Sequence, residues 1–472
     1  MGGFFGVVSS ENCVSDLFFG TDYHSHLGTC RGGMAVGNGS GMLRFIHDIT
    51  NSQFREKLEP DLPKMSGRMG IGVISDYEDQ PLLISSRLGA YAIVTVGRIQ
   101  NSEQLVARAF GQSTAHFSEM SGGEVNPTEL VATLINEGES IEQGIRIAQD
   151  RIEGSCSILL LTDEGLYAAR DRHGRTPVII GRRKNQDHAV AMETSAFPNL
   201  GYEPIRELGP GEVVLITGGQ RLVEKAPPRQ DLRICSFLWV YYGYPASTYE
   251  GQNVEAVRYR CGAALAAADD AEVDIVAGIP DSGTAHAIGY ADHARVRYER
   301  PFIKYTPTWP RSFMPQNQGI RDLVARMKLI PVRELISKQR ILFCEDSIVR
   351  GTQLKDIIQR IYDYGAREIH MRAACPPLLF GCPYLNFSRS SSQIELIARR
   401  TIKEIEGRED AHLDQYCDAQ SDRYAAMIDR IRRRLGLTSL KYQTMDDMLK
   451  AIALPRENLC TYCWNGCGKP GS

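Results

Sequence analysis

The run Arg340-Ile-Leu-Phe-Cys-Glu-Asp-Ser-Ile-Val-Arg-Gly-Thr352 sets two carboxylates, Glu345 and Asp346, directly behind the apolar stretch Ile341–Cys344. Ser347, Val349, Arg350, Gly351 and Thr352 follow, and a helical pattern opens at Gln353. The apolar stretch reads as a short buried strand. Open α/β sheets take their ligands outside the carboxyl ends of strands. A helix N-terminus, with its free backbone N–H groups, receives a phosphate there. Paired carboxylates suit ribose hydroxyls and Mg²⁺, the ion that a pyrophosphate substrate brings with it. An ordinary strand–turn–helix with acidic residues in the turn is the plainer reading of the same residues.

A second loop changes that balance. Ile279-Pro-Asp281-Ser282-Gly283-Thr284-Ala285 also follows an apolar stretch and precedes a helical pattern. Its hydroxyls and backbone N–H groups suit a phosphate. Alone it resembles many strand–helix turns. As a pair, one loop can hold a pyrophosphate and the other a ribose 5-phosphate. Between the loops, Lys304 to Lys328 carries three prolines and separated cations, among them Arg311, Arg321 and Arg326. A basic flap closing over an anionic substrate fits, since closure excludes water from a hydrolysable intermediate. So does a surface loop with solvated charges.

Cys460-Thr-Tyr-Cys463 spaces two thiols to chelate one metal centre, and Cys467 lies close behind. Cys235 and Cys382 are candidates for the remaining ligands, with Cys375 and Cys467 in reserve. The spacing serves zinc and an iron–sulfur cluster equally. Cys156, Cys261, Cys344 and Cys417 read as small buried hydrophobes.

These groups need a scaffold. The 472 residues are 43% hydrophobic and 24% charged, which suits a globular chain of two to three domains. The net charge of −3 and the absence of a long basic block argue against nucleic acid. Arg430–Arg434 reads as a solvated helix face. No apolar run is long enough for a membrane span, and the N-terminus has no secretory pattern. Scattered cysteines point to an intracellular, cytoplasmic protein. The first 230 residues read as a sheet-rich α+β domain. Strands are expected at Phe4–Val8, Met34–Val36, Tyr91–Val96, Cys156–Thr162, Val178–Gly181 and Glu212–Thr217, and a helix from about Asn126 to Ile135. Ala226–Asp231 reads as a linker. Beyond it, strands at Val273–Ile279, Ile341–Cys344 and Glu368–Ala374 alternate with helices, which predicts a parallel sheet with right-handed crossovers.

The loop at 340–352 resembles the phosphoribosylpyrophosphate (PRPP) loop of type I phosphoribosyltransferases. With the Pro280-Asp-Ser-Gly283 loop, the stretch ending Arg326-Met-Lys328-Leu and the late segment Leu440–Leu449, the chain resembles the glutamine PRPP amidotransferases over nearly its whole length. The resemblance implies two domains. Residues 1–230 are expected to form an N-terminal nucleophile hydrolase-like αββα sandwich of the class II glutamine amidotransferase type. Residues 231–472 are expected to form a type I phosphoribosyltransferase domain with a C-terminal cluster-binding segment. It implies PRPP contacts from Asp281, Ser282, Gly283, Thr284, Lys304, Arg311, Lys328, Glu345, Asp346, Ser347, Val349, Arg350, Gly351 and Thr352. Mg²⁺ would sit on Ser282, Glu345 and Asp346, and Glu345 replaces the commoner Asp. The iron–sulfur subgroup places cysteines in the contexts of Cys235, Cys382, Cys460 and Cys463, which implies a structural [4Fe–4S] cluster. A homo-oligomer (dimer or tetramer) and a purine nucleotide inhibitor are implied as well.

The N-terminal half departs from the family where its chemistry should be. The family attacks glutamine with a processed N-terminal Cys whose α-amino group serves as base. Here that position is Gly2, which has no side chain. Cys13 lies only seven residues before Gly20, where the family's spacing puts the nucleophile 18 before it. The carboxylate-clamping Arg falls at Ser75, the oxyanion Asn at Val96 (before Gly97) and the amine-binding Asp at Pro127. Residues that fold the domain persist, among them His26, Gly28, Gly33, Pro81, Asp171, Gly174, Pro177 and Glu193. The expectation is an amidophosphoribosyltransferase homologue of purine biosynthesis that lacks glutaminase activity and uses ammonia. A non-catalytic regulator that binds PRPP or a nucleotide is the alternative, as is a transferase fed ammonia by a separate partner.

Overall fold

The structure, a computed structural model, describes residues 2–37, 39, 41–112, 117–121, 123–305, 329–386 and 395–467. In the N-terminal half, two antiparallel sheets face each other. The first runs, edge to edge, Glu203–Glu207, Ile179–Arg182, His188–Ala191, Gly3–Val8, Met69–Ser75, Arg31–Gly37 and Met42–Asp48. The second runs Leu222–Ala226, Val213–Thr217, Gly165–Ala169, Gly154–Leu161, Gly89–Ile99 and Leu82–Ser86.

Alternation along the strands sets the layers. Phe4, Val8, Ile71 and Val73 meet Val94, Leu159, Leu161 and Ile216 between the sheets. Phe5, Val7 and Ile74 point the other way, under the helix Val14–Asp22. Ile93, Leu160 and Leu215 point outward from the second sheet, under the helices Pro127–Ile135 and Ile141–Arg151. The central strands of this pair are therefore buried on both faces, while the edge strands Met42–Asp48, Glu203–Glu207 and Leu222–Ala226 stay partly exposed, which gives the expected αββα sandwich.

The C-terminal half holds a four-stranded sheet in the order Ile275–Gly278, Arg340–Glu345, Glu368–Ala373 and Ser439–Tyr442. All neighbours are parallel. Leu342 and Cys344 face the helices Val254–Ala267 and Thr284–Ala294, while Ile341 and Phe343 face Thr352–Asp363, Ile397–Glu406 and Asp422–Leu435. The first two helices touch backbone to backbone. A Cβ on Gly262 would lie 1.9 Å from the His286 carbonyl oxygen, and one on Gly289 would lie 2.1 Å from that of Tyr259.

The strands lie within three residues of their expected bounds, the largest gaps being at Arg31–Gly37 and Gly89–Ile99, but several elements went unread. The helices Val14–Asp22 and Ile141–Arg151 are examples, as are the strands Met42–Asp48 and Leu222–Ala226. One cysteine differs from expectation. Cys417 is only half-buried, and its thiol donates to the Trp464 carbonyl at 3.3 Å.

Candidate functional site

Strands Ile275–Gly278 and Arg340–Glu345 pair in parallel, with Gly278 opposite Cys344. Both chemistry-bearing loops therefore leave the same sheet edge side by side. The first loop is cramped enough to require glycine: a Cβ on Gly283 would lie 2.2 Å from the Cys344 carbonyl oxygen. The Ser282 hydroxyl donates to Glu345 Oε1 at 3.1 Å, so the two loops touch through the residues expected to share an ion. The Asp346 backbone N–H donates to the same oxygen at 3.2 Å, and the Ser347 hydroxyl donates to Asp346 Oδ2 at 2.5 Å. Burial, reinforced by the adjacent Asp346 carboxylate, pushes the Glu345 carboxyl well above its usual range. Two carboxyl groups held this close favour a cation between them.

Gly351, at φ 72°, caps the helix Thr352–Asp363 in the left-handed conformation that glycine adopts without penalty. A side chain there would also strike Ile397 Cδ1 at 2.4 Å. Thr352 is exposed on the first turn of that helix, where free N–H groups point outward. Val349 fixes the loop from behind, its carbonyl accepting from Ile397 N at 2.7 Å. Arg350 pairs with Glu395, and Lys304 with the exposed Asp281. Arg311 and Lys328 lie outside the described residues.

A second constellation forms where the halves meet. Cys235 and Cys460 are direct partners in a two-residue parallel ladder. The Cys463 carbonyl accepts from Leu379 N and Phe380 N, which brings in the segment carrying Cys382. The result is a cavity lined by Cys235, Cys382, Cys460 and Cys463, together with Arg175 and Tyr384. Cys375 and Cys467, the reserve ligands, are not among its lining residues. Cys467 is exposed. Arg175 and Tyr384 went unread in the sequence. The cation is 285 residues from Cys460, and no spacing rule links them.

The third set of positions lies in the first half. A Cβ added to Gly2 would lie 2.6 Å from the Ile74 carbonyl oxygen, 3.5 Å from Ser75 Cα and 3.6 Å from Val96 Cγ2. Thr95, beside Val96, meets Thr128, beside Pro127, through hydroxyls 2.7 Å apart. Gly2, Ser75, Val96 and Pro127 thus belong to one neighbourhood. It is closed by its own bonds: the Ser75 hydroxyl donates to the Glu78 carbonyl at 2.5 Å, and the Asn126 side chain caps the helix by accepting from Thr128 N at 2.8 Å. Gly97 stays because a Cβ there would lie 1.9 Å from the Ser155 carbonyl oxygen.

Nearby, the buried Glu193 joins the halves. One oxygen accepts from His26 at 3.2 Å and the other from Tyr249 at 2.6 Å, and the Ser247 hydroxyl donates to the carboxylate as well. Burial pushes this carboxyl up, but the hydrogen bonds from His26, Ser247 and Tyr249 outweigh it and hold the group below the usual glutamate range.

Residues 67–199 match the family described as "Glutamine amidotransferase domain". The amidophosphoribosyltransferase of Mycobacterium bovis is 30% identical, over 98% of this chain and 85% of that protein. The chain belongs to the amidophosphoribosyltransferase family. The Methanocaldococcus jannaschii amidophosphoribosyltransferase is 27% identical over 99% of this chain and 97% of its own length. Among solved structures, the Bacillus subtilis glutamine PRPP amidotransferase complexed with ADP and GMP superposes with a TM-score of 0.85 and 27% identity, covering 99% of this chain and 97% of that one. Membership in the amidophosphoribosyltransferases accounts for both the sandwich and the parallel sheet.

Proposed function

We propose that this chain is an amidophosphoribosyltransferase of purine biosynthesis that binds PRPP with Mg²⁺ and takes ammonia rather than glutamine as its nitrogen source. The observation that carries the reading is the contrast at Gly2. The position expected of the nucleophile has no side chain, and a carbonyl oxygen occupies the direction one would take, while the paired loops of the other half keep their carboxylates and hydroxyls in contact.

In this reading Ser282, Glu345 and Asp346 hold Mg²⁺ on the pyrophosphate. Asp346, Ser347, Arg350, Gly351 and Thr352 bind the ribose phosphate, and Asp281, Gly283, Thr284, Val349 and the cations Lys304, Arg311 and Lys328 complete the site. The nitrogen lone pair of ammonia attacks C1 of the ribose. The bond from C1 to the pyrophosphate oxygen breaks, pyrophosphate leaves, and the new amine loses a proton to solvent. The protein's share is orientation and charge stabilisation of the leaving group. A purine nucleotide is proposed to compete for the same loops, as the relative complexed with ADP and GMP suggests.

The four-thiol cavity is proposed to hold a [4Fe–4S] cluster. Its donors suit the group: four cysteines, and a buried Arg175 Nε with no partner among the described residues, a donor left for an anionic sulfur. Zinc at about 2.3 Å from each sulfur would draw the thiols to within about 4 Å of one another. A cluster holds its four thiolates farther apart and carries sulfides that can accept from the free Arg175 Nε. Such a cluster ties its ligands into one fold.

The deciding experiment is pyrophosphate release from PRPP and Mg²⁺ with ammonium and then with glutamine, with glutamate followed in parallel. Turnover with ammonium and no glutamate from glutamine is expected. Glutamate release near a typical enzymatic rate of roughly 10 per second would sink the proposal.

A further inference from the structure

The cavity between the halves contains a charge that the thiols alone do not explain. Arg175 belongs to the sandwich half and is 7% exposed. Its Nη1 donates to Cys460 Sγ at 3.3 Å, and its guanidinium lies 3.4 Å from the centre of the Tyr384 ring. Among the described residues it has no carboxylate partner at ion-pair distance. A buried cation is costly without a counter-charge. The groups that line the cavity around this one are the four thiols, which become anionic donors when they ligate a metal. Backbone contacts hold the arrangement together: Cys235 N donates to the Arg175 carbonyl at 3.0 Å. From the same half, Arg98 donates to the Cys382 carbonyl at 3.2 Å and Gln100 to that of Pro383 at 2.6 Å.

We propose that Arg175 is a positioning cation of the thiol cage, contributed by the half that has no chemistry of its own. Its guanidinium orients the Cys460 thiolate and offsets the negative charge that the cage carries when loaded. The proposal rests on the cluster reading above. It gives the sandwich half a purpose that survives the loss of glutaminase residues: it closes the cage from outside the transferase half. A positive charge beside an iron–sulfur centre favours its reduced form, because the added electron is stabilised, and hydrogen bonds to sulfur act in the same direction.

The test uses the full-length chain, wild type, Arg175→Gln and Arg175→Lys, purified without oxygen. Iron is counted, its release to a strong chelator is timed, and the midpoint of reduction by dithionite is measured. Arg175→Gln is expected to release iron roughly 10–100-fold faster, the usual effect of losing a partner of a ligand, with its midpoint shifted to more negative potential. Arg175→Lys keeps the charge but not the stacked plane. It should return the midpoint towards wild type and release iron at an intermediate rate. A wild-type release rate and midpoint in Arg175→Gln would overturn the proposal, as would a metal-free Arg175→Gln chain destabilised as much as the loaded one, which marks a purely structural residue. If Arg175→Gln does not fold, Arg175→Lys decides: several-fold faster release supports the idea and a wild-type rate overturns it. Wild-type protein carrying zinc would refute the cluster reading alone, and zinc release would then report on Arg175 in the same way. Wild-type protein that binds neither metal would overturn both.

Discussion

The two halves of this molecule have kept different things. In the parallel-sheet half, the loops after Gly278 and Glu345 retain hydroxyls, carboxylates and a left-handed glycine in mutual contact. In the sandwich half, the core and the Glu193 hub are intact, while the neighbourhood of Gly2, Ser75, Val96 and Pro127 holds no nucleophile and no charged clamp among those four positions. Chemistry and architecture make separate demands on a sequence. A sandwich needs alternating apolar strands and a few satisfied buried polar groups. A reactive centre needs particular atoms at particular points, and each can be lost without unfolding the sheet behind it.

The sharpest way to break this contrast is to exchange chemistry between the halves. Asp346→Asn keeps the shape of the transferase loop but removes a charge from the proposed ion. Ammonium-dependent turnover should fall by roughly a hundredfold to a thousandfold, the scale of losing one transition-state stabiliser. The rise in melting temperature produced by PRPP with Mg²⁺ should largely vanish, since only a ligand bound to the native state stabilises it. Gly2→Cys, by contrast, should yield no glutaminase, because the new Cβ would sit 2.6 Å from the Ile74 carbonyl oxygen. Glutamate production by that variant would show that the sandwich half needs only this one side chain for activity.

The next largest effect concerns stability. Glu193→Ala strips the acceptor from His26, Ser247 and Tyr249 at once. A loss of about 3–5 kcal/mol in chemical denaturation is expected, the cost of breaking a buried charged network. The PRPP-induced shift should persist in whatever folds. A loss below about 1 kcal/mol, within the range of one ordinary hydrogen bond, would mean the hub joins nothing of consequence.

Acid should act on the sandwich through His24. This ring is fully buried, Nδ1 donating to the Gly20 carbonyl at 2.8 Å and Nε2 accepting from Met192 N at 3.2 Å. Burial lowers its pKa from 6.5 to about 4. The unfolded chain therefore binds the proton more readily, so the contribution of the neutral ring is fully present above pH 6.5 and is lost as pH falls towards 4. At about 1.4 kcal/mol per unit, the slope is worth up to roughly 3 kcal/mol. His24→Gln should flatten it in pH-dependent unfolding, and an unchanged slope would assign the effect elsewhere.

The smallest expected change is at the surface of the transferase half. The Ser421 hydroxyl caps the helix Asp422–Leu435 by accepting from Tyr424 N at 3.0 Å. Ser421→Ala should cost about 1 kcal/mol and leave turnover untouched.

What could be read from the sequence followed the range of the signal. The loops at 279–285 and 340–352 were legible because their residues are contiguous and their chemistry is dense. The strand at Gly3–Val8 was legible because it is apolar throughout, and that at Gly154–Leu161 because it ends in the apolar run Ile158–Leu161. The helix Ile141–Arg151 was missed because polar residues interrupt its apolar stripe and a Gly sits at position 144. The edge strand Leu222–Ala226 carries alternating charge and resembles a linker. Spacing fixed only Cys460 and Cys463 of the cage; Cys235 and Cys382 stood as candidates beside Cys375 and Cys467 until the resemblance singled them out. Arg175 had no local mark, because its meaning arises only when residues far apart in the chain meet.

The ladder pairing Cys235 with Cys460 also sets an order of events during synthesis. The first thiol of the cage is made 228 residues before the last, from positions 235 and 463. At roughly 5–20 residues per second of translation, the sandwich half emerges, and can begin to fold, tens of seconds before the fourth thiol exists. The cage therefore closes late, and a ribosome that stops short of the Cys460–Cys463 segment leaves Ile234–Cys235 without its ladder partner and the seam between the halves open.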